Sequence, residues 1–184
     1  RRILALDCGL KVNILRRFAA IGVKTLVVPA TTSADEILDW KPDGLLLSPG
    51  PGDPARLEPI VHTVQQVLGR LPIFGICLGN QILSQAVGGR TFKMKFGHRG
   101  SNHPVKDLRT GRVTITSQNH GFAIDPDSLA GSGAEITQIN LNDGTVEGIC
   151  IKGERAESIQ YHPEAAPGPW DSRPIFHSFV ESLR

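Results

Sequence analysis

Three side chains in this sequence have the types needed for thiol-based nucleophilic catalysis: Cys77, His162 and Glu164. Cys77 follows an apolar, β-forming run over residues 73–76 and precedes a helix-like segment over residues 81–87. At such a corner the helix N-terminus favours a thiolate and offers free backbone N–H groups to an oxyanion. Taken alone, this stretch is equally compatible with a buried structural cysteine, because free cysteines are among the most buried residues.

His162 and Glu164 are separated by Pro163 and directly follow a predicted strand. Pro163 biases His162 toward an extended backbone, in which residues two apart point to the same side. Glu164 can then orient the imidazole and stabilise the imidazolium that forms when His162 takes a proton from a thiol. The alternative is a surface His–Glu pair that has no catalytic partner.

The elements that must position these side chains alternate between strand and helix over the first half of the chain. Apolar strands are predicted over residues 3–7, 23–28, 45–48 and 72–76, and helices over 10–18, 34–40, 57–69 and 81–87, the second helix capped by Ser33. Such alternation indicates an open parallel sheet with helices on both faces, whose functional groups gather at the carboxyl ends of the strands. The loop over residues 49–54, rich in glycine and proline, is therefore expected beside Cys77.

Beyond Gly89 the pattern predicts antiparallel strands that are added to this sheet, the last of them returning to it. The β-rich segments cover residues 90–95, 112–117, 135–141, 145–151 and 156–160, with Asn142-Asp143-Gly144 as a hairpin turn between two of them. A final amphipathic helix carries Ile175 to Leu183, with Asp171 or Ser172 as its expected N-cap. No internal repeat interrupts residues 1–184, so a single domain is predicted.

The composition is that of an ordinary globular chain of 184 residues with a formal net charge of +2. This charge does not indicate nucleic-acid or membrane-surface binding, and no apolar run approaches the roughly 20 residues of a membrane span. The three cysteines (Cys8, Cys77 and Cys150) lack paired spacing, which argues against a disulfide framework and for a reducing, cytoplasmic compartment. No zinc-ligand spacing is present, so no metal site is predicted.

The motifs around these residues resemble those of the class I (triad) glutamine amidotransferases. Gly75-Ile76-Cys77-Leu78-Gly79 and His162-Pro163-Glu164 carry the resemblance, which covers essentially the whole chain. Four further stretches narrow it to the glutaminase domain of the carbamoyl-phosphate synthetase small subunit, namely residues 48–54, 93–105, 118–123 and 162–169.

The resemblance implies an α/β, flavodoxin-like three-layer fold, with a mostly parallel central sheet and added antiparallel strands. It also implies hydrolysis of L-glutamine to glutamate and ammonia through a cysteinyl thioester. Cys77 would be the nucleophile, His162 the general base and acid, and Glu164 the residue that orients His162. Backbone N–H groups of Leu78 and Gly50 would form the oxyanion hole.

The family pattern further implies a glutamine-binding set and a partner. The set comprises Gly50, Gly52, Leu78, Gln81, Asn119, Gly121 and Phe122. No cofactor is expected in this domain, whereas ATP and magnesium are expected on a large synthetase subunit that receives the ammonia. Because the chain opens on Arg1-Arg2 without a methionine, we expect it to be the C-terminal part of a longer small subunit whose N-terminal domain is missing.

Two other functions remain open at this point. One is the amidotransferase of anthranilate or aminodeoxychorismate synthase, which shares the Pro-Gly-Pro-Gly loop. The other is a non-catalytic subunit that only docks on its partner. It draws support from Asn80, since the family commonly has histidine at this position, although the position lies outside the triad.

Several other residues carry alternatives to these assignments. His120 is a rival for the general base. His98 and His103 are expected in a solvated basic loop or a subunit contact rather than in a metal site. Without the family pattern, Gln81 is expected to be an exposed helix residue, and Cys8 and Cys150 are expected to be ordinary core.

Overall fold

The computed structural model describes residues 1–183, which form one mixed sheet with helices on both of its faces. The strands are β1 (Arg2–Asp7), β2 (Lys24–Pro29), β3 (Gly44–Leu47), β4 (Ile73–Ile76), β5 (Thr91–Asp107), β6 (Val113–Ile124), β7 (Ala134–Asn140), β8 (Val146–Ile151) and β9 (Ala156–Ile159). The α-helices are α1 (Val12–Ala20), α2 (Ala34–Asp39), α3 (Glu58–Val67), α4 (Leu78–Ala86) and α5 (Pro174–Ser182). Short 3-10 helices cover Pro54–Arg56 and Pro126–Leu129.

The strand order is β2-β1-β3-β4-β9-β8-β7-β5-β6. The first five strands of this order pair in parallel, and the pairs from β9 onward are antiparallel. The predicted α/β class, with antiparallel strands added to a parallel sheet, is confirmed. The predicted return of the last strand is also observed, since β9 pairs in parallel with β4 and antiparallel with β8.

The core lies on both faces of the sheet because the strands at its centre are apolar throughout. Leu45 and Leu47 of β3 point into the layer formed by α2, α3 and α4, while Leu46 between them points to the opposite layer. On that opposite side, the Phe18 ring of α1 meets Phe176 of α5 edge to face, with ring centroids 5.2 Å apart. Burial on both faces explains why these strands read as continuous hydrophobic runs.

The two predicted helix caps have different outcomes. Ser33 caps α2 with a full capping box, because its hydroxyl accepts the Glu36 N–H and the Glu36 carboxylate accepts the Ser33 N–H. The predicted cap of α5 is wrong, since Arg173 occupies that position and makes no side-chain cap. Asp171 is drawn away to accept a bond from the Ile115 N–H of β6 at 3.4 Å.

The largest difference from the sequence prediction is the length of β5. The sequence pattern predicts a strand over residues 90–95 and a basic loop that contains His98 and His103. In the structure, β5 instead continues through Asp107 and pairs with β6. The register shifts twice, between Lys93 and His98 and again between Gly100 and His103. These irregularities break the period-two pattern that identifies a strand in sequence, so the segment resembles a loop.

The extension of β5 changes the surroundings of His98. The expectation of a solvated loop is wrong for this residue, because its side chain is buried and its Nε2 lies 2.8 Å from a carboxylate oxygen of Asp143. Asp143 belongs to the predicted hairpin turn, which joins β7 and β8 as expected. None of the helices within residues 1–183 is long and apolar enough to cross a membrane.

Candidate active site

Cys77 occupies a strained corner between β4 and α4. Its φ of 54° lies in the left-handed region, which non-glycine residues adopt at a cost of roughly 1–3 kcal/mol. Its backbone is held on both sides: the N–H donates to Ile159 O at 2.8 Å, and the carbonyl accepts the Asn80 N–H at 3.1 Å. Helix α4 begins at Leu78, three residues earlier than predicted, so Cys77 stands directly at its N-terminus.

Two glycines allow this corner to form. A Cβ on Gly75 would lie 2.6 Å from the Gly79 backbone, and a Cβ on Gly79 would lie 2.2 Å from Leu47 O of β3. Both separations are far below van der Waals contact, so only glycine lets α4 start this close to the sheet. The order Gly-x-Cys-x-Gly is that of a nucleophile elbow, with a thiol in place of the hydroxyl.

His162 follows β9, the strand beside β4, and therefore reaches the same edge of the sheet as Cys77. Its Nδ1 lies 2.7 Å from Oε1 of Glu164, and both side chains are almost fully buried. The expectation that residues 162 and 164 point the same way is met by this contact. With Nδ1 directed at the carboxylate, Nε2 is the ring nitrogen that remains for the thiol.

The electrostatics of this pair favour a charged imidazole. Burial lowers the pKa of His162, but hydrogen bonds and charge interactions with Cys77 and Glu164 outweigh it and raise the pKa to about 9. Burial also disfavours the charged form of Glu164 and so raises its pKa. The hydrogen bond to His162 outweighs this effect, and the net pKa of Glu164 lies below the usual range for a glutamate. The site is therefore arranged to hold an imidazolium against a carboxylate.

Two residues at the start of the first helix contact the pair, and sequence analysis missed both. Lys11 places its Nζ 3.5 Å from Oε1 of Glu164, where it stabilises the carboxylate. The same Nζ lies 3.3 Å from Nδ1 of His162, a contact that is not a hydrogen bond while Nδ1 carries a proton. Asn13 donates from its side chain to the backbone carbonyl of Glu164. The two residues lie about 150 positions from the pair, and no local motif marked them.

A cavity of about 660 Å³ opens in front of Cys77 and His162. It is lined by all seven residues of the predicted glutamine-binding set, namely Gly50, Gly52, Leu78, Gln81, Asn119, Gly121 and Phe122. Glu164 is not part of the lining and lies on the Nδ1 side of the His162 ring. The structure thus brings the whole predicted set together, although their roles remain predictions.

The glycine-rich loop approaches the site because it carries no side chain at a critical point. A Cβ on Gly50 would lie 2.1 Å from Cys8 O and 2.9 Å from a methyl carbon of Leu78. Gly52 has a φ of 101°, which side chains rarely adopt. The loop can therefore lie against β1 and α4 only with glycine at these positions.

Gln81 is buried, contrary to the expectation from the helix pattern alone. Its Nε2 donates to Phe122 O at 2.9 Å and to Oε1 of Gln160 at 3.1 Å. Strands β6 and β9 cover the first turn of α4, which the 3.6-residue pattern of that helix does not reveal. Gln160 itself was not predicted; its only sequence signal was an amide at the end of a predicted strand.

His120 also lines the cavity but is poorly suited to act as the general base. Its Nδ1 lies 2.8 Å from Phe122 O and its Nε2 lies 2.9 Å from Oε1 of Gln118, so each ring nitrogen faces an acceptor and the neutral ring donates to one of the two. Burial lowers the pKa of His120 to about 4. These contacts favour His162 over His120 as the base.

His98, His120 and Glu147 form a buried cluster whose potential ligand atoms lie within 4.8 Å of one another. The Glu147 carboxylate already accepts bonds from the side chains of Gln118 and Asn140, at 2.8 and 2.9 Å. A metal would have to displace these bonds and those of His120. Nδ1 of His98 lies 3.6 Å from Oε1 of Glu147, too far for a hydrogen bond, whereas the other contacts join β5, β6 and β8 in a polar network.

The three cysteines differ in their surroundings. Cys77 is the one that lines the cavity, whereas Cys8 and Cys150 are half-buried, which only partly meets the expectation of core positions. Burial raises the pKa of Cys8 to about 11 and, together with the charge of Glu157, raises the pKa of Cys150. Neither of these two thiols is placed to act as a nucleophile.

A family model described as glutamine amidotransferase class-I matches residues 4–182 of this chain. The chain is similar to carbamoyl phosphate synthase small chains: 55% identical over 182 residues in Methanopyrus kandleri, 58% over 181 in Akkermansia muciniphila, and 51% over 183 in the chloroplastic Arabidopsis thaliana protein. These alignments cover 98–100% of this chain and 50%, 48% and 42% of those proteins, respectively. The chain thus spans about half the length of the curated relatives it matches.

Solved structures show the same fold at lower identity. A Thermoplasma acidophilum protein assigned to GMP synthase superposes with a TM-score of 0.84 at 23% identity, covering 99% of this chain and 93% of that one. A glutamine amidotransferase from Thermotoga maritima superposes with a TM-score of 0.70 at 15% identity, covering 99% and 95%.

Proposed function

This chain belongs to the class-I glutamine amidotransferase family, and from that premise we propose that it hydrolyses L-glutamine to glutamate and ammonia. The observation that carries the proposal is the placement of Cys77 at a left-handed strand–helix corner, in one cavity with His162, whose Nδ1 bonds Glu164. A nucleophile, a base and an orienting carboxylate are the parts that thiol-based amide hydrolysis requires.

In the first half of the reaction, Sγ of Cys77 attacks the side-chain amide carbon of glutamine, and the carbonyl oxygen becomes an oxyanion. The His162 imidazolium donates its Nε2 proton to the amide nitrogen, the carbon–nitrogen bond breaks, and ammonia leaves a γ-glutamyl thioester on Cys77. The raised pKa of His162, about 9, keeps that proton on the ring at neutral pH before the attack.

In the second half, the neutral His162 takes a proton from water as the hydroxide oxygen attacks the thioester carbon. The carbon–sulfur bond then breaks, releasing glutamate and returning the thiolate and the imidazolium. Glu164 accepts the hydrogen bond from Nδ1–H throughout and stabilises the ring whenever it is an imidazolium.

The backbone N–H groups of Leu78 and Gly50 supply the oxyanion hole in this proposal. Leu78 is the first residue of α4, so its N–H has no partner within the helix. Gly50 lies in the facing loop, so close to Leu78 that an added Cβ would be 2.9 Å from a methyl carbon of that side chain. Preorganised N–H donors of this kind are worth roughly 3–4 kcal/mol each in transition-state stabilisation.

The remaining lining residues bind the α-amino acid end of glutamine in this proposal. Gly52, Gln81, Asn119, Gly121 and Phe122 surround the cavity. Amide side chains and backbone groups together offer both donors and acceptors, which a zwitterionic amino acid requires.

We further propose that the ammonia serves carbamoyl phosphate synthesis on a large partner subunit, which would bind ATP and magnesium. The relatives that are 51–58% identical are carbamoyl phosphate synthase small chains, which favours this role over anthranilate or aminodeoxychorismate synthesis. Residues 1–184 would form the glutaminase domain of a longer small subunit. A purely docking role has no support in a cavity that collects the complete predicted glutamine-binding set.

The test is glutamine-dependent ammonia release, measured with and without the large subunit of a carbamoyl-phosphate synthetase. The wild-type chain is expected to release ammonia, and Cys77→Ser is expected to lose at least about a thousandfold in kcat, because an alkoxide is far harder to form than a thiolate. Cys150→Ser, at a half-buried position outside the cavity, is the matched control. Full activity in Cys77→Ser would refute the nucleophile assignment.

A second readout uses a glutamine analogue that carries an electrophile at the side-chain carbonyl position. It is expected to modify Cys77 and to spare Cys8 and Cys150, as located by peptide mass spectrometry. Equal modification of all three thiols would contradict a glutamine site at Cys77. A rate of Cys77 modification that excess glutamine does not lower would contradict it as well.

A further inference from the structure

We propose that Gln160 is a hydrogen-bond donor to the Cys77 thiolate and that Asn80 is the positioning residue that directs the Gln160 amide toward it. The inference rests on the proposed function, because it concerns the same nucleophile. Gln160, Asn80 and Cys77 are all buried, each no more than 4% exposed. Nε2 of Gln160 lies 3.6 Å from Sγ of Cys77, within the range of an N–H···S bond.

The direction of the Gln160 amide follows from a backbone group whose polarity is unambiguous. The Phe122 carbonyl can only accept, so Gln81 must turn its Nε2 toward it, at 2.9 Å. The second hydrogen of that Nε2 points to Gln160 at 3.1 Å, which makes the contacting Gln160 atom the amide oxygen. The Gln160 nitrogen is then left on the side of Cys77.

Asn80 and Ser158 extend this network with bonds that are compatible with the same direction. Nδ2 of Asn80 donates to Oε1 of Gln160 at 3.1 Å, and Oδ1 of Asn80 accepts the Ser158 hydroxyl at 2.8 Å. Reversing Gln160 would place the Gln81 N–H against its amide nitrogen and would require Asn80 to reverse as well. Such a reversal would leave buried donors without partners. The free-energy cost of an unsatisfied buried donor exceeds the net contribution of one hydrogen bond to stability.

The fold explains why these side chains meet. Ser158 and Gln160 are two residues apart along β9 and its extension, so both point to the same face. Cys77 and Asn80 are three apart at the start of α4 and share one face of that helix. The parallel pairing of β4 with β9 brings the two faces together.

The hydrogen bond from Gln160 affects the ionisation of the Cys77 thiol. An amide N–H directed at sulfur stabilises the thiolate but offers little to a neutral thiol, because hydrogen bonds to charged groups are about twice as strong as neutral ones. The donor also holds Sγ at one position in front of the cavity. Gln160 therefore acts on the formation of the nucleophile, in contrast to the oxyanion donors, which act on the substrate.

The experiment measures the rate of Cys77 alkylation by iodoacetamide against pH, read at the Cys77 peptide, and needs no glutamine turnover. Gln160→Met removes the N–H without adding charge, and we expect the midpoint of the profile to rise by about one pH unit or more. Gln85→Met, a half-buried glutamine farther along α4, is the matched control and should leave the midpoint unchanged.

Gln160→Glu is the second variant, because it keeps an oxygen that accepts from Asn80 and Gln81 and so protects the fold. It should raise the midpoint at least as much as Gln160→Met. In glutamine hydrolysis, both variants should lower kcat by about tenfold or more with KM within about threefold, since Gln160 contacts sulfur rather than substrate. An unchanged alkylation midpoint in either folded variant overturns the proposal.

Asn80→Leu tests the positioning role separately. The midpoint should rise by less than in Gln160→Met, because Gln81 still donates to the Gln160 oxygen. A midpoint equal to that of the wild type would remove Asn80 from the proposal.

The two hypotheses fail in distinguishable ways. If wild-type protein with its partner releases no ammonia while Gln160→Met still shifts the alkylation profile, the proposed function fails and the Gln160 bond stands. If ammonia is released normally and the profile does not shift, the Gln160 bond fails and the function stands.

Discussion

At the scale of single residues, the site depends on how a few polar side chains are paired. His162 holds its proton because a carboxylate bonds Nδ1 and a thiol lies on its other side, and together these outweigh the cost of burial. Asn80, where the family resemblance predicts histidine, donates its side-chain amide to Gln160, whose own amide nitrogen lies 3.6 Å from Sγ of Cys77. These contacts give Asn80 a place beside the proposed site, so the residue does not argue for a non-catalytic role.

Glu164→Gln is the residue-scale prediction. Because the carboxylate raises the pKa of His162, its replacement by a neutral amide should lower that pKa below about 9, and kcat should fall by roughly tenfold or more. The imidazole resonance of His162 in NMR titrations reports the shift. Glu181→Gln, on the exposed surface of α5, is the control and should leave the titration unchanged. An unaltered His162 titration in Glu164→Gln would contradict the pairing.

At the scale of elements, close approaches between backbone segments position Cys77, the proposed nucleophile. Helix α4 starts directly after a four-residue strand, and Gly79 brings it within contact of β3. The loop after β3 reaches the same place because Gly50 has no Cβ to clash with Cys8. The strained φ of Cys77 is retained because backbone bonds hold the residue from both sides.

Gly79→Ala is the element-scale prediction. The new methyl would lie 2.2 Å from Leu47 O, so α4 must move away from the sheet and carry Cys77 with it. We expect a loss of about 2–3 kcal/mol in the free energy of unfolding, measured with urea, and loss of glutamine hydrolysis in the protein that remains folded.

The control for that prediction is Gly111→Ala. Its Cβ meets open space, so only its positive φ contributes a cost, of about 1–2 kcal/mol, and glutamine hydrolysis should be retained. Equal activity of the two variants would show that α4 tolerates displacement from β3.

At the scale of the whole molecule, the strand order assembles the site. The segment between β4 and β9 leaves the parallel sheet, builds the antiparallel half, and returns so that β9 pairs with β4. This excursion covers the first turn of α4 with β6 and buries the polar network of His98, His120 and Glu147. The antiparallel half is therefore part of the site as well as an extension of the sheet.

The acid stability of the molecule provides the prediction at this scale. The folded pKa of His120 is about 4, below its ordinary value of 6.5, so its contribution to stability is fully present above pH 6.5 and is lost as pH falls toward 4. That contribution amounts to about 3 kcal/mol. His120→Gln should therefore flatten the decline of the unfolding free energy between pH 6.5 and 4, relative to wild type.

Chemical denaturation at a series of pH values measures this effect. His177→Gln, at an exposed position on α5, should follow the wild-type pH dependence. A decline in His120→Gln as steep as that of the wild type would show that His120 takes up its proton as readily in the folded state as in the unfolded chain.

The local features of this protein follow from its sequence alone. Alternating apolar runs specified the parallel strands and their helices, Ser33 specified a cap, and Gly75 to Gly79 specified a corner with a thiol at its apex. These features depend on neighbouring residues, whose backbone preferences and spacing can be read directly. The residues of the predicted glutamine-binding set were identified from the resemblance to the class I glutamine amidotransferases rather than from local spacing, and all seven line the cavity.

Other features depend on the tertiary structure. The bulges of β5, the burial of Gln81 and the contacts of Lys11 and Gln160 depend on which strands become neighbours. The hydrogen bonds from Gln160 to Cys77 and from Asn80 to Gln160 join residues about 80 positions apart, and the contact between Lys11 and His162 joins residues 151 apart. Local preferences carry no information over such separations, because chain topology rather than sequence spacing brings these side chains together.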